Sequence, residues 1–103
     1  TFCDYAGIST PEGLLGRSLR SQVEDSSPNA WREAVYAESV VSRAARIEAR
    51  MVRSTTHKYA VYSYGRHREQ LTDLTRDPGE MVNLAVEARH GDTLQRHRDL
   101  LAT

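Results

Sequence analysis

The sequence has one cysteine, no excess of charge of either sign and no long hydrophobic run. With Cys3 alone, an internal disulfide is impossible and a zinc site built from cysteines is disfavoured. The 14 basic and 14 acidic residues cancel, which argues against a nucleic-acid binder because such proteins normally carry a basic excess. No apolar run approaches the roughly 20 residues that span a bilayer, so neither nucleic acid nor a membrane is an expected partner.

What the sequence does contain fits one modest domain. It has 103 residues, 39% of them hydrophobic, which is enough for a single small core. The first residues lack an initiator methionine and a signal peptide. They read as the end of an apolar helix, so we expect the chain to be a fragment of a longer protein.

The first 29 residues carry the signals of a connecting segment. Pro11, Gly13 and Gly16 predict a loop after a short helix end, and residues 21–29 are polar and typical of a linker. A helical turn is expected to begin near residues 16–19. We therefore divide the chain into a connecting segment, 1–29, and a compact domain, 30–103.

The compact domain is predicted to hold about four strands and one helix. Strands are predicted at residues 33–38, 50–54, 57–64 and 70–74 from β-branched and aromatic content and alternation. Residues 39–49 are interpreted as a loop with some helical turn, a short helix being the alternative. In the turn at residues 77–80, Gly79 is expected to take a positive φ.

An amphipathic helix is predicted at the C-terminus, roughly over residues 88–102. Leu94, His97, Leu100 and Leu101 lie on one stripe, and Asp92 is the expected N-cap. The fold class is therefore α+β, a small antiparallel sheet of about four strands packed against a C-terminal helix.

Four stretches resemble the motifs of one family, in the family's order. Residues 69–85 read E-Q-L-T-D-L-T-R-D-P-G-E-M-V-N-L-A, similar to the sulfatase run "E-L-Y/F-D-L", "D-P-x-E" and "N-L-A", with Thr72 where an aromatic is commoner. Residues 50–59 are similar to "R-x-V-R-T-x-x-x-K-Y", and residues 4–19 to "D-x-A-G-I-x-x-P-x-x-x-x-G-x-S-L". Residues 31–38 resemble the first strand of the family's small domain, so the resemblance covers nearly the whole chain.

The resemblance implies the C-terminal subdomain of a type I, formylglycine-dependent sulfatase of the alkaline-phosphatase-like superfamily. In that family a large domain hydrolyses a sulfate ester or sulfamate with a formylglycine and a calcium ion. The small domain packs a four-stranded sheet and a helix against it and often shapes the substrate pocket. The implied partners are the missing N-terminal catalytic domain and, for the parent, a sulfated small molecule or glycan.

This chain itself is expected to hold no catalytic residue, no metal ligand and no cofactor. Cys3 lacks the spacing of the formylglycine motif "C/S-x-P-x-R", so we expect it to be buried and structural. Asp73 and Asp77 are interpreted as a strand end and a turn start. The candidate substrate-binding residues are the acidic and basic side chains that could enter a pocket, Glu38, Arg50, His57, Arg66 and His67, each weighed against an ordinary surface role.

Two other functions stay open at this stage. The chain could be a freestanding module that binds an anionic glycan or a protein, or a fragment of a related phosphonate or phosphate ester hydrolase. Phe2, Trp31 and the apolar loop 8–15 are expected to dock on the missing domain, and exposed they would favour self-association. Family members are often exported or lysosomal, so an exported or periplasmic parent is compatible with the resemblance, and the compartment stays unknown.

Overall fold

A computed structural model of the chain describes residues 1–24, 31–44 and 46–102. Two compact units can be distinguished, Thr1–Trp31 and Arg32–Thr103, and each is described by itself. In the described residues no helix combines the length and apolarity needed to cross a membrane. The predicted linker residues 25–29 lie outside the described residues.

The first unit contains two short helices joined by polar contacts. Helix α1 is Phe2–Tyr5 and helix α2 is Arg20–Glu24, which begins directly after the predicted start at 16–19. The Ser18 hydroxyl donates to the Asp4 carboxylate at 2.7 Å. Gly7, with φ 69°, follows α1, and glycine commonly takes this left-handed conformation just after a helix ends. Cys3 is only partly buried here, so the expectation of a buried cysteine is wrong within this unit.

The second unit is an antiparallel sheet of four strands, as predicted, and the strands lie in sequential order. Its strands are β1 Val35–Ser42, β2 Ile47–Arg53, β3 His57–Tyr62 and β4 Glu69–Asp73. The short polar connections between strands favour such a meander, because neighbouring antiparallel strands need only a tight turn.

The predicted loop at residues 39–49 is wrong. Residues 39–42 continue β1 and residues 47–49 begin β2, with Ser39 opposite Ala49 and Val40 opposite Glu48. A short run rich in valine and alanine suits a helix, a strand or a loop by pattern alone. The long hairpin forms because the two segments pair with each other, and Arg46, with φ 51°, lies at its turn.

The core lies between one face of the sheet and the C-terminal helix. Val52 and Leu71 are fully buried, together with Ala34, Tyr59 and Leu94. Helix α3, Gly91–Ala102, covers them, and residues 88–90 form a separate 3-10 turn. Asp92 lies inside α3 rather than at its N-cap, because Gly91 already has helical φ and ψ.

The turn at residues 77–80 forms without a positive φ at Gly79. The Glu80 amide donates to the Asp77 carbonyl oxygen at 3.0 Å, and the residue with positive φ is Glu80, at 56°. The Glu80 side chain is held by an ion pair with Lys58. The Asp77 carboxylate accepts the Val82 amide at 2.8 Å, and the Asp73 carboxylate accepts the amides of Thr75 and Arg76. Both aspartates therefore stabilise turns.

Asn83 pairs with the outer edge of β4 through its side chain. Its Oδ1 accepts the amides of Leu71 and Ala85, each at 3.0 Å, and its Nδ2 donates to the Glu69 carbonyl at 3.0 Å. One amide thus replaces the neighbouring strand that this edge lacks. The asparagine of the "N-L-A" motif has a structural role in closing the sheet.

Candidate functional site

The meander places its turns at two opposite ends of the sheet. We call one end the base; it consists of the turn 54–56, His57, Asp73 and His97. We call the other end the tip; it consists of Arg43 and Arg46 between β1 and β2, and of the loop 63–68 between β3 and β4. The five candidate substrate-binding residues do not form one group, because His57 lies at the base while Arg66 and His67 lie at the tip.

Two histidine rings meet at the base. His97 is 2% exposed, and its Nδ1 lies 2.8 Å from the Thr93 carbonyl oxygen. Since a carbonyl only accepts, Nδ1 carries the proton. Its Nε2 contacts the Ser54 hydroxyl at 3.1 Å, and its ring centroid is 5.4 Å from that of His57. His97 is therefore a packing residue that links helix α3 to the β2–β3 turn.

His57 is the more exposed ring, and its Nδ1 contacts the Thr56 hydroxyl at 2.9 Å. Burial lowers the pKa of His57, the Asp73 carboxylate raises it, and electrostatic interaction with His97, His90 and Arg96 lowers it further. The neutral ring is thereby favoured in the folded state.

We expect the imidazole of His57 to titrate below 6.5, its ordinary value. Proton NMR should show that midpoint falling further in Asp73→Asn and rising in Arg96→Ser. As the pH falls, His57 is protonated in the unfolded chain before it is protonated in the folded chain. His57 should therefore reduce the free energy of unfolding as the pH falls from 6.5 to the folded-state pKa, and it should contribute nothing above 6.5. A midpoint at or above 6.5 would contradict this assignment of the charges around the ring.

A cleft of about 370 Å³ adjoins the base; it is lined by Asp73, Arg76, Asp77, Val82, Leu84, Arg89 and His90. Its arginines already have carboxylate partners. Arg89 lies 2.6 Å from the Glu87 carboxylate, and Arg76 lies 3.8 Å from that of Asp73. Much of the positive charge here is thus balanced within the chain, which makes the cleft a poor site for an anion.

Glu38 and Arg50 face each other across β1 and β2. Their side chains form an ion pair at 3.0 Å, with 73% and 66% of each side chain exposed. Glu38 lies within β1, so the expectation that it ends the first strand is wrong, because the strand continues to Ser42. The two residues are paired with each other on the sheet surface.

The tip concentrates exposed basic residues. Arg66, His67 and Arg68 are exposed in the loop after β3, where Gly65 has a φ of 121°. Such a φ is open to glycine and costly for other residues. A cleft of about 460 Å³ lies against this loop, lined by Ser63, Tyr64, Gly65, Arg66 and Arg68. The sequence motif "R-H-R" located this group, whereas Arg43 and Arg46 were missed because they lie in the segment interpreted as a loop.

The residues of this chain do not fit the cofactors that the resemblance implies. Among the described residues, no three His, Cys, Asp or Glu side chains are grouped so that they could share a metal ion. Cys3 has neither proline nor arginine at the formylglycine spacing. We therefore assign no catalytic step to calcium or formylglycine within this chain.

Comparison with known proteins gives one family match and consistent structural relatives. The family described as N-sulphoglucosamine sulphohydrolase, C-terminal, matches residues 1–102. A curated Delta 4,5-hexuronate-2-O-sulfatase from Bacteroides thetaiotaomicron is 34% identical over 102 residues, covering 98% of this chain and 21% of that protein. The chain thus spans about a fifth of the length of this relative.

The solved structures agree in fold. A 2-O GAG sulfatase superposes with a TM-score of 0.87 at 34% identity, covering 99% of this chain and 22% of that one. The phosphonate monoester hydrolase of Agrobacterium radiobacter superposes with a TM-score of 0.73 at 23% identity, covering 99% and 22%; this match shows the fold alone. Since the family match extends over all but the last residue, the chain belongs to the N-sulphoglucosamine sulphohydrolase C-terminal family.

Proposed function

We propose that this chain is the C-terminal subdomain of a longer, formylglycine-dependent sulfatase that hydrolyses a sulfate ester. The observation that carries the proposal is the four-stranded sheet and helix with the ordered sulfatase motifs, in a chain about a fifth as long as its curated relative. That relative's name makes a 2-O-sulfated hexuronate the first substrate to test.

In this proposal residues 1–29 connect the subdomain, 30–103, to the catalytic domain. Large apolar side chains in the first unit would dock there: Phe2 is 91% exposed and Leu15 97%. Docking would remove this apolar surface from water. Self-association of the chain is the competing outcome, and a molar mass that rises with concentration would reveal it.

The loop 63–68 of the tip would form one wall of the substrate cleft. Guanidinium and imidazolium groups suit sulfate because they give charge-assisted hydrogen bonds to its oxygens, and Arg66 and His67 are exposed to offer them. The Glu38–Arg50 pair would support this wall from the sheet surface. Calcium and formylglycine would come from the rest of the parent, where they supply the Lewis acid and the nucleophile.

The test is sulfate release by the protein that carries this chain, from a 2-O-sulfated unsaturated disaccharide. We expect Arg66→Ala and His67→Ala each to raise KM by about three- to tenfold with kcat unchanged, because each removes one surface charge contact. His57→Ala at the base is the matched control and should leave KM unchanged.

Each result decides a part of the proposal. If the protein releases no sulfate from this disaccharide but hydrolyses a phosphate or phosphonate ester given to it separately, the sulfatase assignment fails. Binding of the glycan without turnover would favour the freestanding module. A KM change in His57→Ala with none at the tip would place the cleft at the base.

A further inference from the structure

The arginines of the tip make no ion pair with the described residues, and in this they differ from most arginines elsewhere in the second unit; Arg53, on β2, is likewise unpaired. Arg50, Arg89, Arg96 and Arg98 each lie within 3.0 Å of a carboxylate oxygen. Within the described ranges 1–24, 31–44 and 46–102, no carboxylate oxygen lies within the 4.0 Å ion-pair distance of the four tip arginines, Arg43, Arg46, Arg66 and Arg68. The Arg68 charge does lower the pKa of Glu69, but that carboxylate is bound by Arg98. The guanidinium groups of the tip are therefore not held in ion pairs with the described residues.

Ser63 joins the two turns of the tip. Its amide donates to the Glu48 carbonyl and its hydroxyl accepts the Glu48 amide, both at 2.9 Å. The hydroxyl also lies 3.4 Å from the Arg46 carbonyl oxygen, to which it donates. The loop that carries Arg66 and Arg68 is thus fixed beside the turn that carries Arg46.

Arg46 occupies a position that suits glycine better. Its φ of 51° is in the left-handed region, where a residue with a Cβ pays about 1 kcal/mol or more. An arginine at this position presents a cation at the tip at the expense of backbone preference. Local rules are broken most often where function requires it.

An exposed aromatic ring lies in the same loop. Tyr64 is 76% exposed, and with Arg66 and Arg68 it lines the cleft of about 460 Å³, a volume in the range of ligand sites. Such a ring offers an apolar face to the C–H groups of a sugar and a hydroxyl for hydrogen bonding. An aromatic ring beside cations suits a saccharide that carries sulfate groups.

We propose that the tip binds a sulfated oligosaccharide chain beyond the sugar whose ester is cleaved. Arg43 and Arg46 lie on one side of Ser63 and Arg66 and Arg68 on the other, so a ligand that engages both sides needs several anionic groups. This inference rests on the proposed function, because it assumes that the protein's substrate is a sulfated glycan. It adds an extended binding surface to the single-sugar contact proposed for Arg66 and His67.

The test compares a short and a long substrate in the protein that carries this chain. For a sulfated octasaccharide, the double variant Arg43→Ser, Arg46→Gly should raise KM about tenfold, which equals about 1.4 kcal/mol. For a sulfated disaccharide both KM and kcat should be unchanged. Glycine relieves the strain at position 46, so thermal stability should be kept, which separates lost binding from lost folding.

The ring and the charges each have a control. Tyr64→Ala should raise KM for the octasaccharide. Tyr64→Phe should keep the wild-type KM, because the face of the ring remains. The double variant Arg76→Ser, Arg89→Ser removes two arginines of the cleft that adjoins the base, where both are paired with carboxylates. It should leave KM unchanged for both substrates.

Four outcomes would overturn the inference. They are an unchanged KM for the octasaccharide in the tip variant, an equal rise of KM for the disaccharide in that variant, an equal rise of KM in the Arg76→Ser, Arg89→Ser variant, or equal competition by an oligonucleotide of the same length. If the protein releases no sulfate from either substrate, the proposed function fails. Calorimetric binding of the octasaccharide to wild type and to the tip variant then still decides the inference.

Discussion

Replacing Asn83 with alanine is expected to lower the free energy of unfolding by about 2–4 kcal/mol, because three hydrogen bonds disappear at once. Leu71 is fully buried, so its amide would lose its acceptor in a place that water does not reach. The Glu69 carbonyl and the Ala85 amide would also lose their partner. Urea unfolding followed by far-UV circular dichroism measures the change.

Two further variants separate the hydrogen bonds from the edge strand in general. Asn83→Asp keeps the acceptor but cannot donate to the Glu69 carbonyl, so a smaller loss is expected than for alanine. Gln70→Ala changes an exposed amide on the same strand. The Tyr62 hydroxyl donates to this amide over a long 3.4 Å, so its loss should lower the free energy of unfolding by less than about 1 kcal/mol. Equal losses in Asn83→Ala and Gln70→Ala would show that Asn83 does not replace a strand.

Replacing Glu69 with alanine is expected to cost about 2–3 kcal/mol. Its carboxylate accepts the hydroxyl of Tyr59 at 2.7 Å and two donors of Arg98, each at 2.7 Å. Tyr59 is 3% exposed, so most of the cost is its hydroxyl left without an acceptor. The ion pair itself contributes less, about 0.5–1 kcal/mol, because the Arg98 side chain is 42% exposed and solvent screens it.

The same carboxylate makes stability depend on acid. The Arg98 hydrogen bonds, with help from Tyr59, lower the pKa of Glu69 from 4.5 to about 2. The unfolded chain therefore binds a proton first, and the contribution of Glu69 is full above 4.5 and lost as the pH falls to about 2. Burial, followed by the hydrogen bond to Glu69, raises the pKa of Tyr59 from 10.0 to about 12. The contribution of the neutral phenol to stability is therefore full below pH 10.0 and is lost as the pH rises to about 12.

Urea unfolding of wild type and Glu69→Gln between pH 4.5 and about 2 measures the contribution of the Glu69 carboxylate to stability. Glutamine can still accept a hydrogen bond from Tyr59 but has no charge, so its stability should fall less steeply in acid. A double-mutant cycle with Tyr59→Phe gives the coupling of the two side chains. Parallel pH curves for wild type and Glu69→Gln would mean that the carboxylate is not held in the folded state.

Local pattern was sufficient for the elements that carry their own signal. Residues 57–62 are rich in aromatic and β-branched side chains and are bounded by polar turns, and the stripe of Leu94 and His97 marks the helix face that packs on the sheet. The family motifs indicated the same architecture. The hairpin at residues 39–49 was predicted wrongly because its valines and alanines suit several local structures, and pairing between distant residues decided among them.

The sequence by itself determined the α+β class, an antiparallel sheet of about four strands, the final helix and the absence of a formylglycine motif, since each depends on neighbouring residues. Only the tertiary structure decided which candidates share a surface. It joined Glu69 to Arg98 across 29 positions, and it set Arg46 beside Ser63. Such contacts depend on strand register and on the course of the chain between elements, which local composition does not encode.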